Sequence, residues 1–318
     1  MRPRGHRAGL IRRAICALLA AAFSGEAAVG AGTGPVLIIS TAGTEAYAQA
    51  LEGIRAGLAN TAPLEFVDTS LKPQLDSLAK TLAAKHPRVV IAVGAEAVAA
   101  VTASRSNAPV VSTMILLSDS WKAETDKAPS TVVGEVYLDF SVGGVCREWK
   151  QLVPGKTRLG VIRNPLKNGP SNAAIEAQAS SAGCSVRIVD CARPEDLLTA
   201  FLSLRNNADF VWAMPDSALY TSATVKPLLM ASLDQRLPLV GFSESFARAG
   251  ATMGLYPDFP DVGRQTAELA RKWLAGEPFQ AAQVPRTARV AFNHRVARLM
   301  GLRYTPPPEG EGRVMVIK

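Results

Sequence analysis

Residues Val89 to Val101 read VVIAVGAEAVAAV. The β-branched run Val89 to Val93 stops at Gly94, and an alanine-rich helical pattern begins at once with Ala95, Glu96, Ala97 and Val98. A short unbroken apolar run suits a strand buried on both faces of a parallel sheet. A helix that opens directly after such a strand leaves its first backbone N–H groups without intrahelical partners, at the strand's carboxyl end. Those donors, with the positive end of the helix dipole, form a seat for a carboxylate or another anion. One strand–turn–helix unit carries no function by itself. Its weight here comes from similar units along the chain.

Upstream, Val36 to Ser40 reads as a strand and Thr41 to Thr44 as a polar turn, followed by Tyr47, Leu51, Ile54 and Leu58 at helical spacing. Leu64 to Val67 is a second short strand, Leu71 to Ala84 a helix, and Pro109 to Ile115 a strand after the central unit. Alternation of this kind packs as a parallel sheet. From Leu117 to Ser130 the apolar period is lost, which reads as a loop and a lobe boundary, with Thr131 to Tyr137 a strand leaving it. After a helix from Asp139 to Leu152 the alternation restarts, with strands at Arg158 to Ile162, Cys184 to Cys191, Asp209 to Met214 and Leu239 to Phe242. Helices from Ser171, Pro194 and Thr221 separate them. Thr252 to Tyr256 is extended, and Asp261 to Leu274 is an amphipathic helix that returns to the first half. Arg289 to Phe292 is a last strand, and Asn293 caps a short helix. The expected fold is α/β, two doubly wound parallel-sheet lobes with a hinge. Residues 35–120 plus about 258–283 make one lobe, and about 121–257 plus 284–305 the other. Residues 306–318, opening with three prolines, form a C-terminal tail.

The amino end has a different character. Arg2, Arg4, Arg7, Arg12 and Arg13 precede an apolar stretch from Ala14 to Phe23, and small residues follow around Ala27 and Ala31. That is the layout of a secretory signal peptide, with cleavage expected near Ala31 and a periplasmic destination. Loss of five arginines and Glu26 would lower the formal charge from +8 to +4. The basic residues are scattered and no aromatic-interleaved basic patch occurs, which argues against nucleic acid as a partner.

Cys146, Cys184 and Cys191 lie beyond the leader. A strand between Cys184 and Cys191 would hold them about 23 Å apart, whereas a disulfide needs Cα atoms within about 7 Å. Cys146 has room to bridge to one of them, but three buried thiols are the expected state.

Near the carboxyl end, PLVGFSESFARAGATMGLYPDFPDVGRQTAELARKWLAGEPF (238–279) and VAFNHRVARLMGLRY (290–304) resemble the ABC-transporter substrate-binding protein family with the type I periplasmic-binding-protein fold. Leu152-Val153-Pro154, Asn164-Pro165 and Met214-Pro215-Asp216-Ser217 are similar to that family as well. The resemblance implies two lobes closing on a small molecule, an amino acid or similar carboxylate, delivered to a membrane permease by a protein expected to be a monomer. It implies that a ligand carboxylate meets Ser40, Thr41 and the backbone amides of Gly94, Ala95 and Glu96. Asp216 would take an ammonium group, with Thr113, Tyr137, Asn164 and Ser217 completing the site. No cofactor or metal is implied, and no HExxH, P-loop or Rossmann glycine fingerprint occurs.

Departures from the family pattern bear on the ligand. Ala95 stands where a hydroxyl residue is usual, and Arg163 where an aromatic residue is usual. Arg163 would suit a more acidic ligand through a bidentate pair. Tyr137, Trp212, Tyr220 and Tyr256 are available for stacking, though core packing is the commoner use of such residues. Two other functions fit parts of the sequence. The same bilobed module serves extracytoplasmic sensing coupled to a membrane receptor such as a sensor kinase. Gly241-Phe242-Ser243-Glu244-Ser245 opens like a serine-hydrolase elbow but lacks its closing glycine, and neither His86 nor His294 is placed near Ser243.

Overall fold

The computed structural model describes residues 33–40, 44–61, 63–68, 72–117, 131–167, 169–305 and 312–318. The expected leader, Thr41, the loop after Leu117 and the triple proline lie outside the described residues. The first body contains β1 (Val36–Ser40), α1 (Glu45–Leu58), β2 (Leu64–Asp68), α2 (Lys72–Lys85), β3 (Val89–Val93), α3 (Ala95–Ala103), β4 (Val110–Ile115) and β5 (Val132–Tyr137). The second opens with α4 (Val142–Leu152), β6 (Arg158–Arg163), α5 (Asn172–Ser181), β7 (Ser185–Asp190), α6 (Leu197–Ser203) and β8 (Phe210–Ala213). It continues through α7 (Ser222–Asp234), β9 (Leu239–Gly241), α8 (Glu244–Ala249) and β10 (Met253–Pro257). The chain then returns to the first body for α9 (Phe259–Ala275) and β11 (Ala282–Gln283). It ends in the second with β12 (Ala288–Asn293), α10 (His294–Leu299) and β13 (Val314–Ile317).

The first sheet runs β11-β5-β4-β3-β1-β2 with every described pair parallel. The second runs β13-β12-β10-β9-β8-β6-β7, parallel except that β12 runs against β10. That reversal follows from β12 entering its sheet from the other lobe.

Strand alternation explains the layering. Val36, Ile38, Val89, Ile91 and Val93 face one cluster with α1 and α9, while Leu37, Ile39, Val90 and Ala92 face α2 and α3 on the opposite side. Both faces are covered, so the strands read as continuous apolar runs. The second sheet is likewise packed on both faces, with Trp149 of α4 stacked on Phe210 of β8 at 4.6 Å between ring centroids.

Because β5 pairs with β4, the first sheet extends to Tyr137. The chain therefore crosses between lobes at Leu138 to Ser141, later than the boundary at 120 and 121 expected from sequence. Local apolar pattern marks a strand but does not say which sheet it joins. The other crossings lie at Asp258 and between Val284 and Thr287. Cys146, Cys184 and Cys191 are free and buried. Three elements had no counterpart in the sequence-based outline: the six-residue α8, the two-residue β11, and β13, which puts the end of the tail on the edge of the second sheet.

Candidate functional site

The carboxyl ends of both sheets flank the crossings, where strand termini and helix starts converge. In the first sheet, register aligns Ser40 with Val93, Val93 with Thr113, and Thr113 with Val136. Four of the expected contact positions, Ser40, Gly94, Thr113 and Tyr137, therefore stand on or beside one row at the sheet's end. Their individual environments differ. Ser40 is fully buried. The Gly94 amide donates to the Thr113 carbonyl at 2.9 Å, and the Thr113 hydroxyl is hydrogen-bonded to Thr266 Oγ1 of α9 at 2.8 Å. Ala95 and Glu96 are exposed in the first turn of α3, whose dipole points to this edge.

Gly94 has φ 90°, a conformation costly to residues with a Cβ. The ring and hydroxyl of Tyr47, in the first turn of α1, lie against it so closely that a methyl group there would overlap them. Burial, and secondarily the Glu96 carboxylate, push the Tyr47 hydroxyl above its ordinary pKa, so it remains a neutral donor. Tyr47 had entered the sequence outline only as a helix-core residue.

A β-bulge shapes the next strand end. Register slips between Thr113 and Ile115, and Met114 takes a left-handed φ of 58°. Bulges redirect a strand where pairing ends, and here Leu116 and Leu117 emerge into the space between the lobes. The Leu117 amide donates to Asp139 Oδ2 at 2.6 Å. The Tyr137 hydroxyl donates to Glu135 Oε2 at 2.6 Å.

Two adjoining cavities fill that space. One of about 230 Å³ is bounded by Leu117, Tyr137, Phe140, Trp212 and Met214. The other, of about 300 Å³, is bounded by Leu116, Phe140, Trp212, Asp216, Ser217, Tyr220, Phe242 and Phe259. Phe140 and Trp212 belong to both. A smaller recess beside them holds Arg163, Asn164, Lys167 and Asp216. The structure thus brings Tyr137, Asn164, Asp216 and Ser217 to the cleft walls, while Ser40, Gly94, Ala95, Glu96 and Thr113 are not part of these three linings.

Asp216 follows β8 and is 6% exposed. Its Oδ1 accepts from the amides of Ala218 at 2.7 Å and Leu219 at 3.1 Å, closing a tight turn. Among the described residues, its Oδ2 has no hydrogen-bond or ion-pair partner. Close by, the buried Tyr220 hydroxyl also lacks a partner. Burial, then Cys191 and Asp216, push its ionisation far up, so it stays neutral. Unpartnered polar atoms are rare in protein interiors and mark places where a water, ion or ligand group is expected.

Arg163 is less available than the sequence implied, because its Nε donates to Asp190 Oδ1 at 2.9 Å on neighbouring β7. Asn164 Oδ1 accepts from the Leu166 amide at 3.0 Å. The elbow-like serine is a helix cap: Ser243 Oγ accepts from the Phe246 amide at 3.1 Å and shares a hydrogen bond with Ser245. His294 Nδ1 is bonded to the Tyr304 hydroxyl. Among the described residues no cluster of His, Cys, Asp and Glu is placed to hold a metal ion.

Phe140, Phe242 and Phe259 were missed from sequence. Each lies within three residues of a strand's carboxyl end, after β5, β9 and β10 respectively. Position past a strand end was the signal that pointed to the cleft.

The family model described as ABC transporter substrate binding protein matches residues 36–302. No curated protein matches the chain. Among solved structures, a ligand-free, open substrate-binding protein with adhesive properties from Clostridium difficile superposes with a TM-score of 0.61 at 17% identity, over 89% of this chain and 99% of that one. A conserved domain protein from Vibrio cholerae gives 0.55 at 19% identity, over the same shares of the two chains. An ABC domain in complex with L-Trp from Streptococcus pneumonia gives 0.55 at 15% identity, again over 89% and 99%. At these identities the likeness is one of fold.

Proposed function

The chain belongs to the ABC transporter substrate-binding protein family, and from that premise we propose that its ligand is an amino acid with an apolar, aromatic-sized side chain. A protein of this family is an extracytoplasmic binding protein that takes a small molecule between its two lobes and is not an enzyme. In this reading the closed complex is presented to a membrane permease.

The observation that carries the ligand class is the unpaired Oδ2 of buried Asp216 beside walls formed by Trp212, Phe140 and Phe242. An ammonium group supplies the charge partner that oxygen lacks, and a buried, hydrogen-bonded charge pair favours a cationic ligand group over a neutral one. Aromatic walls reward a flat apolar side chain by burial and stacking. The ligand's carboxylate is assigned to the opposite lobe, at Ser40, Thr41 and the first amides of α3, Ala95 and Glu96. Gly94 contributes by bringing backbone close rather than by its own amide, which is bonded to Thr113. Asn164 and Ser217 serve as rim contacts, and Tyr137 as a wall. The resemblance to a fold that holds L-Trp is consistent with this choice. Export through the arginine-rich leader, with cleavage near Ala31, is part of the same reading.

A thermal-shift panel of the amino acids, simple sugars and dicarboxylates tests it. A ligand at a hundred times its dissociation constant adds about 2.7 kcal/mol to stability, a shift of several degrees. Shifts from tryptophan, tyrosine or phenylalanine are expected. A flat response to every amino acid, with a shift from sugars or dicarboxylates, overturns the ligand class.

A further inference from the structure

One face of α4 lies over the last turn of α5 and the start of its connection to β7. The Val142 amide donates to Gln178 Oε1 at 3.0 Å, and Lys150 Nζ donates to the Ala182 carbonyl at 2.9 Å. Cys146 stands midway between those positions, at the four-residue step that puts side chains on one helix face. Both ends of the row are pinned to the same segment, so Cys146 is held over its middle. Cys184 is the residue immediately before β7, buried in one cluster with Cys146 and near enough to push that thiol's pKa up. The turn presenting it is tied down as well: the Gly183 and Cys184 amides donate to the Ser180 and Ala179 carbonyls, each at 2.9 Å. Both sulfurs sit in the cluster that includes Trp149 and Phe210.

Cys191 differs. It lies at the far end of β7, in the cluster on the other face of the sheet, with its Sγ donating to the Arg193 carbonyl at 3.2 Å.

We propose that Cys146 and Cys184 close into a disulfide in the extracytoplasmic setting of this family, clamping α4 to the head of β7, while Cys191 stays a thiol. The inference rests on that setting and is independent of the ligand. The chemistry is thiol–disulfide exchange with an oxidising disulfide, such as glutathione disulfide or an oxidoreductase that carries one. One cysteine thiolate attacks it to form a mixed disulfide and releases a thiol. The second thiolate then displaces the remaining thiol. Each cysteine has given up a proton, and the two electrons lost in forming the S–S bond reduce the oxidant to two thiols. Burial, joined by the Cys184 contact, keeps the Cys146 thiol protonated in the closed core, against the weaker pull of Lys150 and Arg147. Exchange therefore belongs to the folding chain, before the core shuts.

The test uses the purified full chain, reduced, unfolded in urea and refolded in an oxidised and reduced glutathione buffer. The product is acid-quenched, alkylated in denaturant without reductant, digested with trypsin and weighed. The expected result is the peptide ending at Arg147 joined to the peptide ending at Arg187, lighter than their sum by two hydrogens, with Cys191 fully alkylated. Reductant should lower the thermal midpoint of this product and leave Cys184→Ser unchanged. Recovery of folded protein with both peptides alkylated separately overturns the proposal, as does a bridge through Cys191 or Cys16. Since no ligand enters the experiment, its failure is distinct from failure of the proposed ligand class.

Discussion

Arg289 grips Asp258 at the point where the chain passes from the second lobe into the first, with Nε at 2.9 Å and a second nitrogen at 2.8 Å from Oδ2. The other carboxylate oxygen caps α9, accepting from the Asp261 amide at 3.0 Å. One side chain thus starts the returning helix and ties it to β12. Asp258→Ala should cost about 1–2 kcal/mol, mostly the lost cap, because the pair is partly exposed and worth about 0.5 kcal/mol. Asp258→Asn keeps a capping oxygen and should cost less than half as much. Urea denaturation of the two variants separates cap from charge, and equal losses would mean the ion pair matters more than the cap.

The crossing of α1 with α9 depends on absent side chains. A Cβ at Gly263 would strike the Ala50 carbonyl and the Ile54 amide, and one at Gly53 the Pro260 carbonyl. Backbone cannot yield as a side-chain tip can, so Gly263→Ala should destabilise by about 3 kcal/mol or more, the upper range for overpacking. Gly276→Ala meets open space and carries only the strain of φ 68°, about 1 kcal/mol. Thermal midpoints of the two proteins should differ clearly, and equal midpoints would contradict the packing described.

Acid stability should carry the signature of Asp209. Its burial works to raise the pKa, but the Arg158 guanidinium at 2.9 Å and the Arg158 backbone amide hold it below the ordinary 3.8. A carboxyl whose folded pKa is depressed stabilises fully above its unfolded pKa and loses that contribution as pH falls through the folded value. Asp209→Asn should therefore lower stability by about 1–2 kcal/mol near pH 7, towards the low end for a hydrogen bond to a charged group because the Arg158 side chain is exposed. The gap should shrink steadily below pH 3.8. Urea melts across this range measure it, and a pH-independent difference would assign the loss to packing.

Ligand recognition should respond differently to two cleft substitutions. Asp216→Asn retains an oxygen for the Ala218 and Leu219 amides, so the turn survives while the negative charge goes. Affinity for an amino acid should fall at least tenfold, about 1.4 kcal/mol, with the thermal midpoint of the free protein nearly unchanged. Trp212→Ala should weaken binding and also destabilise the free protein, since its ring is buried in the second core. Titration calorimetry reads both effects. Undiminished affinity in Asp216→Asn would remove the ammonium role.

The layered architecture was legible because runs such as VLIIS and VVIAV are buried on both faces, and fully buried strands announce themselves by composition. Asn293 was legible as a cap for the same local reason, a short polar side chain followed by helical spacing, and it accepts from the Val296 amide at 3.0 Å. What a strand pairs with is a long-range fact, so Thr131 to Tyr137 could be read as a strand but not assigned to the first sheet. The cleft was half legible. Asp216 stood out as an acid at a strand end, whereas Phe140, Phe242 and Phe259 are single aromatic residues in short connections with no periodic neighbours. Tyr47 was hidden inside a good helical pattern, and only its approach to Gly94 reveals a second position.

The buried face of α1, with Ala50, Gly53 and Ile54, is completed by α9 from the distant carboxyl-terminal part of the chain. Until that part is available, the amino-terminal lobe lacks one wall of its interior, whatever its local helix and strand preferences. Assembly must wait for a contact of very long sequence separation, the kind that forms slowly. A fragment stopping short of Asp258 should exchange the backbone hydrogens of β1 and β3 rapidly, where the whole protein protects them. An unfinished chain of this design stays loose, and a loose chain is the form that can be threaded through a narrow pore.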